Sequence, residues 1–344
     1  MPQKSYDAAR AGKIALLVPL TGQHHALGQS LQKAAELSLF DQGDDQLNLV
    51  IYDTKSTVEG TEKAAIKALQ EQAGLILGPV FADHVQAIVP LARRASVNVV
   101  SFSNNKAIAG AGVFVLGFSP EEQVRAILSY AHSHGKNTIA ILIPRNAYGM
   151  LVEREVKAIQ ATQQDMKIEI ISYSGELADM AKDLNPLRTL QMDALFIPEG
   201  GQALLRLISS LLYHEIPLEK VQLLGTGQWD DELIYQNISL QGAWIAAPDP
   251  QERASFITKY RQAYSQDPER IATLAYDAVA MLAVLKRHHP LQAYSFSALT
   301  QPRGFDGIDG IFRLRVDGIT ERKPAIAEIT ATGLRVLRVT GKRF

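Results

Sequence analysis

Cysteine is absent from all 344 residues. Disulfides, thiolate nucleophiles and thiolate metal sites are thereby excluded. An excess of either charge is missing as well. Thirty-five Lys and Arg stand against 36 Asp and Glu, a formal net charge of −1, and no block of like charges occurs. Nothing in that balance calls for a nucleic-acid partner. Long apolar runs are lacking: "IAILI" and "IVPLA" are far too short to cross a bilayer. The start, "MPQKSYDAARAGKIALLVPL", has no apolar stretch ahead of a small-residue cleavage site. Either the protein is cytosolic or an export segment was removed; residues 1–12, polar and Ala-rich, read as a leftover linker and favour removal.

The common motifs of chemistry are missing too. The loop after the first apolar run is "TGQHHALG", with neither G-x-G-x-x-G nor a Gly-Lys-Ser/Thr phosphate loop. Asp53 ends the second run, as a ribose-binding acid would, but without the glycine turn it is weak evidence for a nucleotide. No G-x-S-x-G elbow and no H-E-x-x-H occurs. The eight histidines include the pairs His24-His25, His132/His134 and His288-His289. Neighbours at these spacings do not share a helix face. The last two pairs read as helix C-termini, where cations are favoured. His24 and His25 lie in a loop and could line a cleft. No catalytic residue, metal site or cofactor is expected, and the chain reads as no enzyme.

What is present is a rhythm of short apolar runs and amphipathic stretches. "KIALLVPL" (13–20) precedes a helical pattern over 26–42, in which Leu27, Leu31, Ala34, Ala35 and Leu39 share one face. "LNLVIYD", "GLILGPV" and "VNVVSFS" follow, with helices predicted at 58–73 and 82–95. The pattern restarts at "VFVLGFS" (113–119). Ser119 suits a cap, Pro120 the first turn, and Glu121 and Glu122 the positive end of the helix that follows. Strands at 138–144, 167–173, 193–200 and 221–227 alternate with helices at 148–163 and 202–214. Two helices (251–266 and 270–288) and a β-rich tail close the chain. Continuous apolar strands separated by helices imply parallel sheets covered on both faces. The breaks near 117–120 and 246–251 read as hinges, with two α/β units in tandem as the plainer arrangement.

In open α/β sheets, ligands bind beyond the carboxyl ends of the strands. That rule gathers Thr21, Gly22, His24 and His25; Phe81, Ala82 and Asp83; Ser103, Asn104 and Asn105; then Asn146 and Tyr148, Glu199 and Gly200, and Gln228 and Trp229. Hydroxyls, amides and a few rings suit a small polar ligand. In "GTGQWDDELI" (225–234), Gly225 and Gly227 would let the backbone approach a ligand. Gln228 and Trp229 would form a rim, and Asp230 or Asp231 would cap the next short helix.

Six stretches in order, "ALLVPLTGQHHALGQSLQKAAELSLFD", "LILGPVFADHVQAIVPLARRASVNVVSFSNN", "RNAYGMLVEREVKAI", "LLGTGQWDD", "AYDAVAML" and "GFDGIDGIFRLRVDG", resemble the type I periplasmic binding proteins, specifically the leucine/branched-chain amino-acid receptor group. The resemblance implies an α/β fold of two Rossmann-like lobes joined by three crossings, with an interlobe cleft. It assigns 13–118 plus 249–312 to lobe 1 and 119–248 plus 318–344 to lobe 2. It implies a periplasmic solute-binding protein that closes on a small polar, amino-acid-like ligand and serves an ABC permease. The loops at Phe81-Ala82 and at Ser103, Asn104 and Asn105 would hold a ligand carboxylate, and Tyr148 would close from the second lobe. The chain departs from the pattern where amino-acid binders often carry serines, at Phe81 and Ala82. It departs again at Gly227-Gln228, where many members carry an acid, so Glu199 is the substitute. "FDGIDGIFRLRVDGITERKPAIAEI" is similar to the lipoprotein activators of penicillin-binding proteins. That likeness implies an envelope interaction protein with a vestigial cleft, partnered by a penicillin-binding protein. Such activators are lipid-anchored through an N-terminal cysteine; with none here, the anchor is expected to have been removed or never to have existed.

Overall fold

The computed structural model describes residues 13–43, 47–175, 177–339, 341 and 344. The linker expected at 1–12 lies outside them. The described residues begin with β1 (Lys13–Val18), α1 (His25–Gln42), β2 (Leu49–Asp53), α2 (Val58–Gln70), β3 (Ala73–Leu77), α3 (Ala82–Ala95), β4 (Asn98–Ser101) and β5 (Val113–Val115). It continues through α4 (Pro120–Ser133), β6 (Thr138–Pro144), α5 (Ala147–Thr162), β7 (Lys167–Tyr173), α6 (Leu177–Leu184), β8 (Ala194–Phe196), α7 (Gly201–Tyr213), β9 (Gln222–Thr226), α8 (Glu232–Tyr235) and β10 (Trp244–Ala247). The last part holds α9 (Pro250–Tyr264), α10 (Ala272–His288), α11 (Phe296–Leu299), β11 (Phe312–Leu314), β12 (Thr320–Arg322), β13 (Ala325–Thr330) and β14 (Gly333–Arg338).

These elements form two compact units. Unit 1 takes the chain up to Phe118, Gln251–Arg322, and the terminal residues Gly341 and Phe344. Its sheet is parallel throughout, in the order β2-β1-β3-β4-β5. The strands are apolar because both faces are covered: β1 buries Ile14 to Val18 completely. One face packs on α1 and α10 through Leu31, Ala34, Leu274 and Leu282. The other packs on α2 and α3 through Ala65, Ala68 and Ile88. Unit 2 takes Ser119–Pro250 and Lys323–Thr340. Its sheet runs β14-β13-β10-β9-β8-β6-β7. β13 pairs antiparallel with both β10 and β14 at one edge, and the other pairings are parallel.

The β-rich tail divides differently from the expected boundary at 318. β11 and β12 form a separate antiparallel pair. Val115 in β5 bridges to Ile319 and donates its N–H to the Gly318 carbonyl at 2.9 Å. Residues 318–322 therefore stay with unit 1, because their backbone groups find their partners there.

Helix starts follow the sequence closely. Thr57 caps α2 through Gly60 N–H, Asn146 caps α5 through Gly149 N–H at 2.8 Å, and Asp231 caps α8 through Leu233 N–H at 2.8 Å. Pro120 opens α4 with Glu121 and Glu122 in its first turn. Ser119 is a correction: its side chain makes no capping bond, because its hydroxyl donates to the Glu121 carboxylate instead. His134 and His289 sit at the C-terminal ends of α4 and α10.

Candidate functional site

In unit 1 the loops beyond β1 and β2 are organised by Asp53. Its carboxylate accepts from Leu20 N–H at 2.9 Å, Thr21 N–H at 3.2 Å, Thr21 Oγ1 at 2.6 Å and Lys55 N–H at 2.8 Å. Burial works to raise its pKa, but these donors outweigh it and hold the acid below the ordinary value. The acid that sequence reading weighed as a ribose partner is thus spent on its own loop.

Phe81 and Ala82 are half-buried where α3 begins. The Phe81 ring lies 4.6 Å from His24 and 5.2 Å from His84, centroid to centroid. His84 is buried, and its Nδ1 lies 2.8 Å from Thr61 Oγ1. Burial pushes the imidazole below its usual pKa and the His24 charge adds to that, against a pull upward from Asp83. Beside this aromatic group, Ser101 Oγ donates to the Pro79 carbonyl at 3.0 Å, tying the loop after β4 to the loop after β3.

Ser103 and Asn105 serve that turn. Ser103 is buried; its N–H donates to Ser101 Oγ at 3.0 Å, and its own hydroxyl accepts from Asn105 N–H at 3.2 Å. Asn105 accepts from Ala107 N–H at 3.0 Å, which caps a short 3-10 turn. Asn104 is exposed.

In unit 2 the carboxyl ends of β6, β7, β8 and β9 converge on a polar cluster. Tyr148, half-buried in the first turn of α5, lies beside the side chains of Thr226 and Gln228. Burial raises its pKa, the neighbouring Thr226 and Gln228 side chains oppose the rise, and the Glu199 and Glu121 charges add to it. The hydroxyl is therefore a neutral donor near pH 7. The Glu199 carboxylate accepts from Tyr173 Oη at 2.8 Å and from Gly200 N–H at 3.3 Å. Burial first, and then Glu199, drive the Tyr173 pKa strongly upward. Gln123 accepts from Gly227 N–H at 2.8 Å and steadies the loop after β9. Asn146, counted among the strand-end polar groups, is occupied as the α5 cap.

Trp229 is a correction. It is fully buried, not a rim, and belongs to the apolar core of unit 2. Its indole N–H donates to the Glu199 carbonyl at 2.7 Å. The ring lies on Gly225, where a Cβ would meet Trp229 Cδ2 at 2.4 Å. The missing side chain at Gly225 makes room for tryptophan, not for a ligand. Gln228 is exposed as expected. Tyr173, Thr226 and Gln123 were missed. Tyr173 sits inside an ordinary strand pattern, and only the strand order brings its hydroxyl to Glu199. A cavity of about 350 Å³ in unit 2 lies at the opposite strand ends, against Leu212, Gln222 and Ile238, and contains none of the expected residues.

Among the described residues no cluster of His, Asp or Glu could hold a metal ion, and no helix is long and apolar enough to cross a membrane. The expected site residues thus gather into two strand-end groups, one in each unit. The unit 2 group is rich in hydrogen-bonding side chains, and the unit 1 group is mainly aromatic and backbone.

Comparisons with known proteins agree with this architecture. The family model described as periplasmic binding protein matches residues 12–333. A putative branched-chain amino acid ABC transporter structure from Rhodospirillum rubrum has a TM-score of 0.80 at 14% identity, covering 95% of this chain and 100% of that one. The C-domain of the penicillin-binding protein activator LpoA from Haemophilus influenzae has a TM-score of 0.74 at 15% identity, covering 95% and 100%. In sequence, the activator LpoA of Haemophilus ducreyi is 25% identical over 215 residues, 60% of this chain and 35% of that protein. The chain spans about a third of the length of the curated relatives it matches. The fold is thus related both to branched-chain amino-acid receptors and to LpoA-type envelope proteins. The family is named for binding in the periplasm, and these relatives are named for transport and for activation of a penicillin-binding protein, not for catalysis. The chain belongs to the periplasmic binding protein family, with the two-lobed α/β architecture of type I members.

Proposed function

We propose that this protein binds a small polar ligand at the strand ends of its lobes and delivers it to an ABC-type uptake system. The lobe closure implied by the family resemblance is part of the proposal. The observation that carries it is a polar neighbourhood beyond β6, β8 and β9: Gln228 lies against Gly200 next to Glu199, Glu199 accepts from Tyr173, and both Glu199 and Gln228 act on the Tyr148 hydroxyl. A tyrosine hydroxyl, an amide and a carboxylate supply a donor, a two-way partner and an anion within one group. That set suits a ligand carrying an ammonium or several hydroxyls. Phe81 and His24 add an aromatic surface in unit 1.

A second reading has its own support. The curated relatives include penicillin-binding protein activators, and the unit 1 residues Ser103 and Asn105 are engaged with their own turn. An envelope interaction protein with an unused cleft fits those facts. The full chain titrated calorimetrically against amino acids, polyols and small aromatic and aliphatic acids separates the two. Heat from one class, lost on Tyr148→Ala, supports the receptor. Silence across the panel, together with retention of a penicillin-binding protein by the immobilised chain, supports the activator-like role and overturns the first reading.

A further inference from the structure

Unit 1 contains a charged cluster that the ligand reading does not use. Asp277 in α10 and Asp309 in the "GFDGIDG" turn are 1% and 2% exposed. Arg322, the last residue of unit 1 before the chain leaves it, is 7% exposed. Its Nη1 reaches Asp277 Oδ2 at 3.4 Å and donates to the Gly310 carbonyl at 3.3 Å. Asp277 also accepts from Ile308 N–H at 2.8 Å. Gly307 is required beside it, because a Cβ there would sit 2.5 Å from Asp277 Oδ2. Asp309 accepts from Thr273 Oγ1 and from Arg270 Nη2, the latter at 2.8 Å.

Two rings complete the cluster. The Arg322 guanidinium lies 4.8 Å from the Phe312 ring and 5.4 Å from the Phe118 ring. Arg270 lies 4.4 Å from the same Phe118 ring. Phe118 is the residue at which the chain first leaves unit 1. The two exits run side by side, since Val115 bridges to Ile319. A buried ion pair is poor evidence of net stability, because desolvation offsets the attraction. It does fix geometry, and arginine does so on two planar faces and a directed fork. Hinges are a few residues at element ends that absorb the change in backbone angle, and here such residues adjoin the cluster.

We propose that Arg322, held by Asp277 and seated against Phe118 and Phe312, is a clasp that fixes both of the chain's exits from unit 1. Rearrangement of the units then begins beyond Phe118 and beyond Arg322, and β5 and β12 move with unit 1. The clasp is a property of unit 1 and is measured without ligand, so a silent ligand screen leaves it standing.

Hydrogen–deuterium exchange on the ligand-free full chain tests it. Arg322→Met keeps the apolar stem but removes the guanidinium. Exchange at residues 115–118 and 319–323 should accelerate about tenfold, while β1 and β3 stay protected. Phe118→Leu, which leaves every charge in place, should accelerate the same two segments by less. Unchanged exchange in both variants overturns the clasp. Equal acceleration through β1 and β3 overturns it too, since the cluster would then be a general core contact. Should Arg322→Met fail to fold, Arg322→Lys decides. It retains the charge beside Asp277 without the planar face; acceleration confined to the two segments supports the clasp, and none overturns it.

Discussion

Glu199 shows how one side chain carries two possible roles. It stands just before α7, whose positive end favours an acid, and it also accepts from Tyr173 in the polar cluster. Glu199→Gln should nearly abolish binding of an ammonium ligand, since an unpaired charge in a closed site costs several kcal/mol, and should spare a neutral one. If Glu199 only supports the helix start, the variant loses about 1 kcal/mol of stability and keeps its affinity; melting and calorimetry on the same sample distinguish these. Tyr148→Ala should weaken binding by about 1–3 kcal/mol through the lost hydroxyl bond and ring contact. Gly225→Ala drives a methyl into the Trp229 ring. It should destabilise unit 2 by about 1–3 kcal/mol in denaturant melts, with the loss seen in tryptophan fluorescence.

At the scale of elements, the caps connect sequence to site. Asn146 starts α5, and Tyr148 follows within its first turn. Asn146→Ala should cost about 1 kcal/mol of stability and weaken ligand binding as well, because Tyr148 loses its fixed entry. Thr57→Ala removes the equivalent cap from α2 and should cost similar stability with affinity unchanged. Equal affinity in both variants would detach the α5 start from binding. Most strands and long helices were legible because two-sided burial writes continuous apolar runs and helix faces repeat every three or four residues. α6 was not, since eight residues make only two turns and leave little period to read.

For the whole molecule, pH separates two acids whose pKa values are shifted in opposite directions. Burial pushes Asp277 up to about 7; Arg322 and Ile308 N–H oppose the rise and Asp309 adds to it. A raised folded pKa gives stability that is full below the unfolded value near 3.8 and is lost as pH rises through about 7. Asp53 has the opposite sign: its lowered pKa gives stability present above about 3.8 and lost below. Wild-type melting temperature should therefore decline relative to Asp277→Asn between about pH 4 and pH 8. A constant difference across that range would show that Asp277 keeps one protonation state throughout.

The sequence by itself determined the α/β class, the parallel strand–helix rhythm, most caps and the strand-end positions of Tyr148, Glu199 and Gln228. Each of these follows from local periodicity or from a residue's effect on its own backbone. Tertiary structure alone decided which partners those residues meet. Strand order brings Tyr173 to Glu199 and Thr226 to Tyr148. The hollow at Gly225 receives Trp229, which a local reading had placed on a rim. The Val115–Ile319 bridge keeps 318–322 in unit 1, and Arg322 finds Asp277 across 45 residues of chain. A side chain's spacing is written along the chain, but its burial and its charge partner depend on what the fold lays against it.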